Sequence, residues 1–216
     1  MKIKKEVLKF YAITDSRFSL GNESLFFEQI GSALSGGATC LQLREKGLKE
    51  EIFLEKAKKL KRICQKFGIP LIINDNVKVA KEVDADGVHV GQEDVSVSDA
   101  IKVLGKNKVI GVSVFSVKEA LLAEKKGAAY LGVGSIFKTN SKPDAKMVTL
   151  NTLREICKTV KIPVVAIGGI NELNIFKLKG SGVSGIAVIS AIFSAKNIEK
   201  TTKKLKMLVT NILSKI

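Results

Sequence analysis

Two aspartates follow predicted β-strands, and their chemistry suits a hard cation. Asp75 comes directly after the apolar run Leu71–Asn74, and Asp94 follows the next such run, Gly87–Val90. Since neighbouring strands lie about 4.8 Å apart, these two carboxylates can approach one another. Magnesium is commonly held by one or two carboxylates together with substrate phosphates. The spacing therefore predicts a magnesium site at Asp75 and Asp94, although either aspartate could instead cap the helix that follows it.

Basic side chains also follow predicted strands. Arg44 closes the run Cys40–Arg44, Lys46 stands two residues further on, and Lys142 follows the run Tyr130–Val133. An arginine binds phosphate oxygens through two N–H groups, whereas a lysine adds a point charge. Arg44 is the strongest candidate because arginine is scarce here, while Lys46 taken alone could be one of many solvated lysines. Together the three residues predict an anion-binding site.

Glycines near the end of the chain indicate a second anion site. Gly168 and Gly169 follow the run Val164–Ile167, and Gly185 and Ser190 flank the last predicted strand. In (β/α)8 barrels, backbone N–H groups at this place often bind phosphate next to a short helix. A tight turn explains the glycine pair about equally well.

The chain has one histidine, His89, within a predicted strand. It could face the site and transfer protons, but a lone strand histidine is more often a hydrogen-bonded packing residue. We therefore expect a packing role. A single histidine also excludes a metal site built from several histidines.

Eight short apolar runs are predicted as strands, and segments of helical period separate them. The runs are Phe10–Thr14, Cys40–Arg44, Leu71–Asn74, Gly87–Val90, Ile110–Val114, Tyr130–Val133, Val164–Ile167 and Gly185–Val188. Runs that are apolar throughout are typical of parallel strands buried on both faces. Eight strand–helix units in 216 residues suit an α/β fold, a (β/α)8 TIM barrel forming one domain over residues 1–216. An open, doubly wound sheet is the alternative, because periodicity does not establish closure.

The helical segments show their own signals. Leu54, Ala57, Leu60, Ile63 and Cys64 form one apolar stripe, opposite a face that is rich in lysine and glutamate. The pattern from Ser116 to Glu119 is a capping box, which predicts a helix start just after the fifth strand.

The composition narrows the function. The 36 basic residues against 21 acidic ones give a formal charge of +15, while 45% of the chain is hydrophobic, which is a globular composition. The sequence contains no run of about 18 apolar residues, so we expect no membrane span. The charged N-terminal residues do not resemble a secretory signal. The three cysteines are widely spaced and predict reduced thiols in a cytoplasmic protein.

The positive charge suits either a nucleic-acid-binding protein or a protein that handles anionic small molecules. Four of the basic residues are arginines, the residue that DNA readers use most to grip bases: Arg17, Arg44, Arg62 and Arg154. The lysine excess therefore favours solvated helix faces and small-molecule substrates over a nucleic-acid or membrane partner. Whether the chain forms a homo-oligomer is left open.

The ordered set of motifs resembles the thiamine-phosphate synthase family. The motifs are Q-L-R-E-K, I-N-D, G-V-H-V-G-Q-E-D, G-V-S, T-N-S-K, I-G-G-I and V-I-S-A-I, running from about Phe10 to Ile198. The resemblance implies a (β/α)8 barrel that joins a pyrimidine methyl diphosphate to a thiazole phosphate. The products would be thiamine phosphate and diphosphate. The cofactor would be Mg²⁺.

The resemblance also implies roles for residues at matching positions. Metal ligands would be Asp75 and Asp94, as the strand ends also predict. Contacts to the pyrimidine diphosphate would come from Gln42, Leu43, Arg44, Glu45, Lys46, Asn74, Ser113 and Lys142. The thiazole phosphate would be bound by Thr139, Asn140, Ser141, Gly169, Ile189 and Ser190. Arg44, Ser113 and Lys142 would be the catalytic residues of a dissociative reaction.

The chain departs from the family pattern in the loop after the sixth strand. Ser135 and Lys138 replace two prolines that usually stiffen this loop, and Phe115 stands where a histidine is common. No departure removes a charged ligand. A related barrel, a thiazole tautomerase, is the rival interpretation, and it could dispense with the metal carboxylates. A basic nucleic-acid-binding protein is the remote one.

Overall fold

The computed structural model describes residues 3–141 and 146–214, and within them eight parallel strands close into a barrel. The strands are β1 Phe10–Ile13, β2 Cys40–Leu43, β3 Leu71–Asn74, β4 Gly87–Val90, β5 Val109–Val114, β6 Tyr130–Val133, β7 Val164–Ile167 and β8 Gly185–Val188. Closure comes from β8 pairing with β1, where Phe10 stands opposite Ile186. The predicted TIM barrel is therefore confirmed and the open sheet is excluded. The predicted strand bounds differ from the observed ones by at most one residue.

Helices cover the outside of the barrel. They are α1 Glu23–Ser35, α2 Glu50–Phe67, α3 Val77–Glu82, α4 Val97–Leu104, α5 Val117–Lys125, α6 Leu150–Thr159, α7 Ser190–Phe193 and α8 Ile198–Leu213. Short 3-10 helices occupy Lys5–Leu8, Ser16–Ser19 and Ile175–Leu178, and the last of these follows β7. Among the residues described, no helix is long and apolar enough to cross a membrane.

Polar side chains fix several helix starts. Ser116 accepts a hydrogen bond from the Glu119 N–H at 3.2 Å, and the Glu119 carboxylate accepts one from the Phe115 N–H at 2.7 Å. This is the predicted capping box, with the carboxylate reaching one residue further back than in the usual form. The same capping role falls to Asn76 in α3 and to Ser96 in α4. Both residues lie beside the two aspartates that were candidates for it.

The apolar residues of the strands divide into two layers. On β1, Phe10 and Ala12 pack outward under the helices, whereas Tyr11 and Ile13 point into the barrel lumen. The outer layer includes the predicted stripe of α2, where Ala57, Leu60 and Cys64 are buried and Leu54 and Ile63 are partly buried. This layer holds the helices on the sheet, so that the carboxyl ends of the strands are free to carry polar groups.

The thiols belong to this core. Cys40 and Cys64 are buried and Cys157 is partly buried, and all three are free. Burial raises the pKa of Cys64 and of Cys157 to about 12, so both thiols are neutral near pH 7.

Candidate active site

A cavity of about 410 Å³ opens at the carboxyl ends of the strands, and every strand or the loop after it contributes to its wall. A cavity of this size suits small-molecule ligands. Most of the residues predicted as site residues line it: Gln42, Arg44, Lys46, Asn74, Asp75, Asp94, Ser113, Thr139, Ser141, Gly169, Ile189 and Ser190. The strand-end pattern in the sequence therefore brings the predicted residues to one place.

Three of the predicted residues that the structure describes are not part of that wall. The Leu43 side chain packs in the outer core, and Asn140 is exposed. Lys142 lies outside the described residues. The Glu45 side chain is fully buried, with one carboxylate oxygen accepting from the Thr14 hydroxyl at 3.0 Å and the other 3.7 Å from Lys56 Nζ of α2. The Glu45 carboxylate therefore faces the protein interior and stabilises the loop after β2 without lining the cavity.

Asp75 carries a backbone constraint as well as a charge. Its φ of 61° is in the left-handed region, which a side chain other than glycine seldom adopts, although Asp and Asn tolerate it best. Its N–H donates to the His89 carbonyl at 2.9 Å, which ties the end of β3 to β4. A strained conformation held by neighbouring structure is common at functional sites.

The two aspartates interact electrostatically. Burial raises the pKa of Asp75, the neighbouring Asp94 carboxylate raises it further, and Lys46, whose Nζ is 3.1 Å from Asp75 Oδ2, partly offsets both effects. Asp94 Oδ2 accepts a hydrogen bond from the Gly91 N–H at 2.7 Å. Neither aspartate caps a helix, since Asn76 and Ser96 take those positions.

This donor set fits a magnesium ion. A divalent cation would relieve the repulsion between the Asp75 and Asp94 carboxylates, which border an open cavity. The described residues contain no cluster of three or more His, Cys, Asp or Glu side chains that could bind a metal. Two carboxylates leave the remaining coordination positions to water and phosphate oxygens, which is the usual arrangement for magnesium.

A chain of hydrogen bonds crosses the barrel lumen and links residues that all line the cavity. Gln42 Nε2 donates to the Tyr11 hydroxyl, which pairs with the Tyr130 hydroxyl; Tyr130 in turn contacts His89 Nδ1, and His89 Nε2 contacts the Ser113 hydroxyl. Each of the four contacts measures 2.9 Å. The chain joins two predicted substrate contacts, Gln42 and Ser113, through the interior of the molecule.

His89 has the expected packing role in this chain. Burial lowers its pKa to about 4, so the imidazole is neutral near pH 7 and both ring nitrogens are engaged. Sequence reasoning missed Tyr11 and Tyr130. The available signal was that the only two tyrosines lie in predicted strands, and a buried tyrosine hydroxyl needs a hydrogen-bonding partner.

Glycines in the strands make room for these rings. Gly111 of β5 stands opposite Tyr130 of β6, and a Cβ at this glycine would lie 2.2 Å from the tyrosine Cζ. The Tyr130 ring therefore fits inside the barrel because the residue opposite it on β5 has no side chain.

The other half of the cavity is lined by glycines and by serine, threonine and apolar residues of β6 to β8 and the loops after them. Gly168 and Gly169 have φ of 97° and 65°, and a Cβ on Gly169 would lie 2.4 Å from the Lys138 carbonyl oxygen. The loop after β6 pairs with this segment, since the Phe137 N–H donates to the Gly168 carbonyl at 3.0 Å. The glycine pair therefore forms a tight packing contact between two loops, and it does so at the cavity wall.

Ser135 fixes the same loop where the family pattern has a proline. Its N–H donates to the Lys146 carbonyl at 2.9 Å, a bond that proline could not make, and its hydroxyl donates to the Phe137 carbonyl at 2.6 Å. Hydrogen bonds of Ser135 thus fix this loop at a position where the family pattern relies on the rigid ring of a proline.

Comparisons with known proteins agree with this geometry. A family model described as thiamine monophosphate synthase matches residues 10–192. The chain is 49% identical over 191 residues to a thiamine-phosphate synthase of Clostridium acetobutylicum, covering 88% of this chain and 90% of the relative. It is 47% identical over 200 residues to that of Clostridioides difficile, covering 93% and 94%.

The fold agrees in the same way. A solved thiamine phosphate pyrophosphorylase from Pyrococcus furiosus superposes with a TM-score of 0.89 at 44% identity, covering 97% of this chain and 99% of the other. A 3-hexulose-6-phosphate synthase superposes with a TM-score of 0.69 at 16% identity, a similarity that concerns the fold alone.

Proposed function

Since the chain belongs to the thiamine-phosphate synthase family, we propose that its cavity holds both substrates of that reaction at the carboxyl ends of the strands. The enzyme is a transferase that joins an aminopyrimidine methyl diphosphate to a thiazole phosphate. The observation that carries the proposed arrangement is that charged side chains line the cavity at the ends of β2 to β4, whereas glycines, hydroxyl-bearing and apolar residues line it at the ends of β6 to β8. We call these parts the charged half and the main-chain half.

The charged half binds the diphosphate. Arg44 and Lys46 contact its oxygens and stabilise the negative charge that develops as the bond between the methylene carbon and the diphosphate oxygen breaks. The family resemblance adds Lys142, which lies outside the described residues, as a further contact. Fixed cations contribute most where charge develops in the transition state. The electron pair leaves with diphosphate, and the electron-rich aminopyrimidine supports the resulting methylene cation.

Asp75 and Asp94 would hold a magnesium ion in this half. When bound, the ion neutralises charge on the diphosphate oxygens. Lys46 pairs with Asp75 at 3.1 Å, so its ammonium group would contribute a further positive charge to the same half.

The pyrimidine is oriented by Gln42, Asn74 and Ser113. Gln42 and Ser113 are the two ends of the hydrogen-bond chain through Tyr11, Tyr130 and His89, so their side chains are fixed before substrate binds. Orientation of this kind lowers the entropic cost of bringing two reactants together.

The main-chain half binds the thiazole phosphate. Its contacts are Thr139, Ser141, Gly169, Ile189 and Ser190, with backbone N–H groups facing the phosphate, whereas Asn140 is exposed and is left out of this set. The thiazole nitrogen then forms its bond to the methylene carbon, which completes the transfer. No general base is required, which agrees with a neutral His89 whose two nitrogens are both engaged.

The coupling assay tests this proposal. The purified protein should form thiamine phosphate and diphosphate from the two substrates, and removal of magnesium by a chelator should abolish turnover until magnesium is restored. Tautomerisation of a thiazole phosphate without coupling would favour the rival tautomerase. Turnover that is indifferent to chelation would contradict the role of Asp75 and Asp94.

We also propose that residues 1–216 act as one domain, in the cytoplasm, on small molecules and not on nucleic acid.

A further inference from the structure

The segment after β1 contains an ion pair that the proposed reaction does not use. Asp15 and Arg17 lie at the carboxyl end of β1, the strand end that the sequence patterns left without a role. We propose that Arg17 is a positioning residue, held by Asp15, that fixes the loop after β6 at the cavity. The inference rests on the proposed function, because that loop carries residues assigned to the thiazole phosphate.

The ion pair has the geometry of a rigid fork. Arg17 Nε lies 2.9 Å from Asp15 Oδ1, and Arg17 Nη2 lies 2.5 Å from Asp15 Oδ2. The Arg17 N–H also donates to Asp15 Oδ1 at 3.1 Å. Such two-point pairs are stronger and more directional than the contact between a lysine and a carboxylate.

The Asp15 carboxylate is available to act as an anchor. Only 8% of the residue is exposed. Burial raises the pKa of Asp15, but the hydrogen bonds and charge of Arg17, with a further contribution from Arg44, outweigh it and leave the pKa below its usual value. The carboxylate is therefore ionised near pH 7 and keeps the guanidinium in one orientation.

The oriented guanidinium reaches a loop on another part of the barrel. Arg17 Nη2 donates to the Ser141 carbonyl at 3.0 Å, and the Ser141 N–H donates to the Thr139 hydroxyl at 3.2 Å. Thr139 and Ser141 both line the cavity. Since β7 and β8 separate β6 from β1, this contact links non-adjacent strand ends across the mouth of the barrel.

The contact is specific to arginine. One guanidinium provides the two N–H groups for Asp15 and still donates to a carbonyl oxygen, whereas an ammonium group is a compact point charge without this fixed shape. The Arg17 side chain is 60% exposed, and exposed ion pairs usually contribute little to stability. Loss of this contact should therefore affect the position of the loop after β6 and should change the free energy of unfolding of the whole protein little.

Hydrogen–deuterium exchange of the free protein tests the contact directly. In Arg17→Ala and in Asp15→Asn, the amides of residues 136–141 should exchange at least about threefold faster than in the wild type, since one charge-assisted hydrogen bond to the loop is lost. Arg62→Ala, which removes an exposed arginine from α2, is the matched control and should leave this exchange unchanged.

Steady-state kinetics test the consequence. The KM for the thiazole phosphate should rise about tenfold in Arg17→Ala, while the KM for the pyrimidine diphosphate stays within about twofold, as expected for the loss of one hydrogen bond to a charged group. Arg17→Lys should recover less than half of the lost affinity. If Arg17→Ala fails to fold, Arg17→Lys carries both measurements.

The failures are distinguishable. A wild-type protein without coupling activity would overturn the proposed function and leave the exchange result standing, because exchange is measured without substrate. Unchanged exchange in the Arg17 and Asp15 variants would overturn the positioning role in an active enzyme. An equal rise in both KM values would overturn it as well, since the loop would then not act on one substrate.

Discussion

The two halves of the cavity would present different groups to the two anionic substrates that we propose. The half formed by β2, β3 and β4 presents side-chain charges: Arg44, Lys46, Asp75 and Asp94. The half formed by β6, β7 and β8 presents glycines, hydroxyls and main chain, with Gly168 and Gly169 packed against the loop after β6. A charged side chain can be exchanged without moving the backbone, whereas a main-chain site exists only while two loops keep their mutual position.

The contrast predicts different kinds of failure. Substitutions in the charged half should lower the rate of bond cleavage in a protein that folds normally. Substitutions in the main-chain half should act through geometry, on the affinity for one substrate and on stability together. Four substitutions follow, of which the first three test this difference.

Asp75→Ala should have the largest effect. Removing this carboxylate should lower kcat by about 100-fold or more, because a charge that organises the departing diphosphate is lost, while circular dichroism stays unchanged. Asp94→Asn should instead raise the magnesium concentration needed for half-maximal rate. Asp99→Ala, which removes an exposed carboxylate from α4, is the control. Near-normal turnover of Asp75→Ala would erase the distinction between the two halves.

Gly169→Ala should have an intermediate effect, chiefly on one KM. A Cβ here would lie 2.4 Å from the Lys138 carbonyl oxygen, so the loop after β6 must shift and the KM for the thiazole phosphate should rise about tenfold. Gly68→Ala is a matched control, because Gly68 also has φ 65° but has no atom within 4 Å of the added Cβ. Both variants should lose about 1–2 kcal/mol of stability through left-handed strain, and Gly169→Ala should lose more because the loop after β6 must also shift. An unchanged KM in Gly169→Ala would refute the main-chain site.

His89→Gln should have the smallest effect, seen chiefly in the dependence of stability on pH and secondarily in the KM for the pyrimidine diphosphate, since His89 belongs to the chain that orients Ser113. The folded His89 pKa of about 4 lies below the ordinary value of 6.5, so between these values the unfolded chain binds a proton that the folded one does not. Wild-type stability should therefore fall as the pH drops from 6.5 to 4, by up to about 1.4 kcal/mol per unit from this residue. Denaturant titrations across this range should give a shallower fall in the variant. Identical slopes would contradict the buried neutral histidine.

The same contrast explains how far the sequence alone could lead. Strand ends were predictable because apolar runs and the polar residues after them are local patterns, so Arg44 and Asp75 were found on the correct side of the barrel. The positions of Glu45 and Asn140 were not predictable in this way. Which way a loop side chain faces depends on neighbours such as Lys56 on α2, and these are distant in the sequence.

The interior hydrogen-bond chain was out of reach for a related reason. Tyr11 and Tyr130 are separated by most of the barrel in sequence, and their pairing depends on closure of the sheet. The Arg17 contact to Ser141 likewise joins segments that no short motif connects. Local sequence patterns thus predict which side chains each strand end carries. Closure of the barrel determines which of these side chains come into contact.

The space that Gly111 leaves for Tyr130 has a consequence for how this protein can evolve. The two residues stand opposite each other on β5 and β6, and an added Cβ at Gly111 would overlap the tyrosine ring. A lineage could therefore enlarge the first position only after, or together with, shrinking the second. We expect the two positions to covary among descendants of this sequence, and a mutational library that varies Gly111 alone to return almost only glycine.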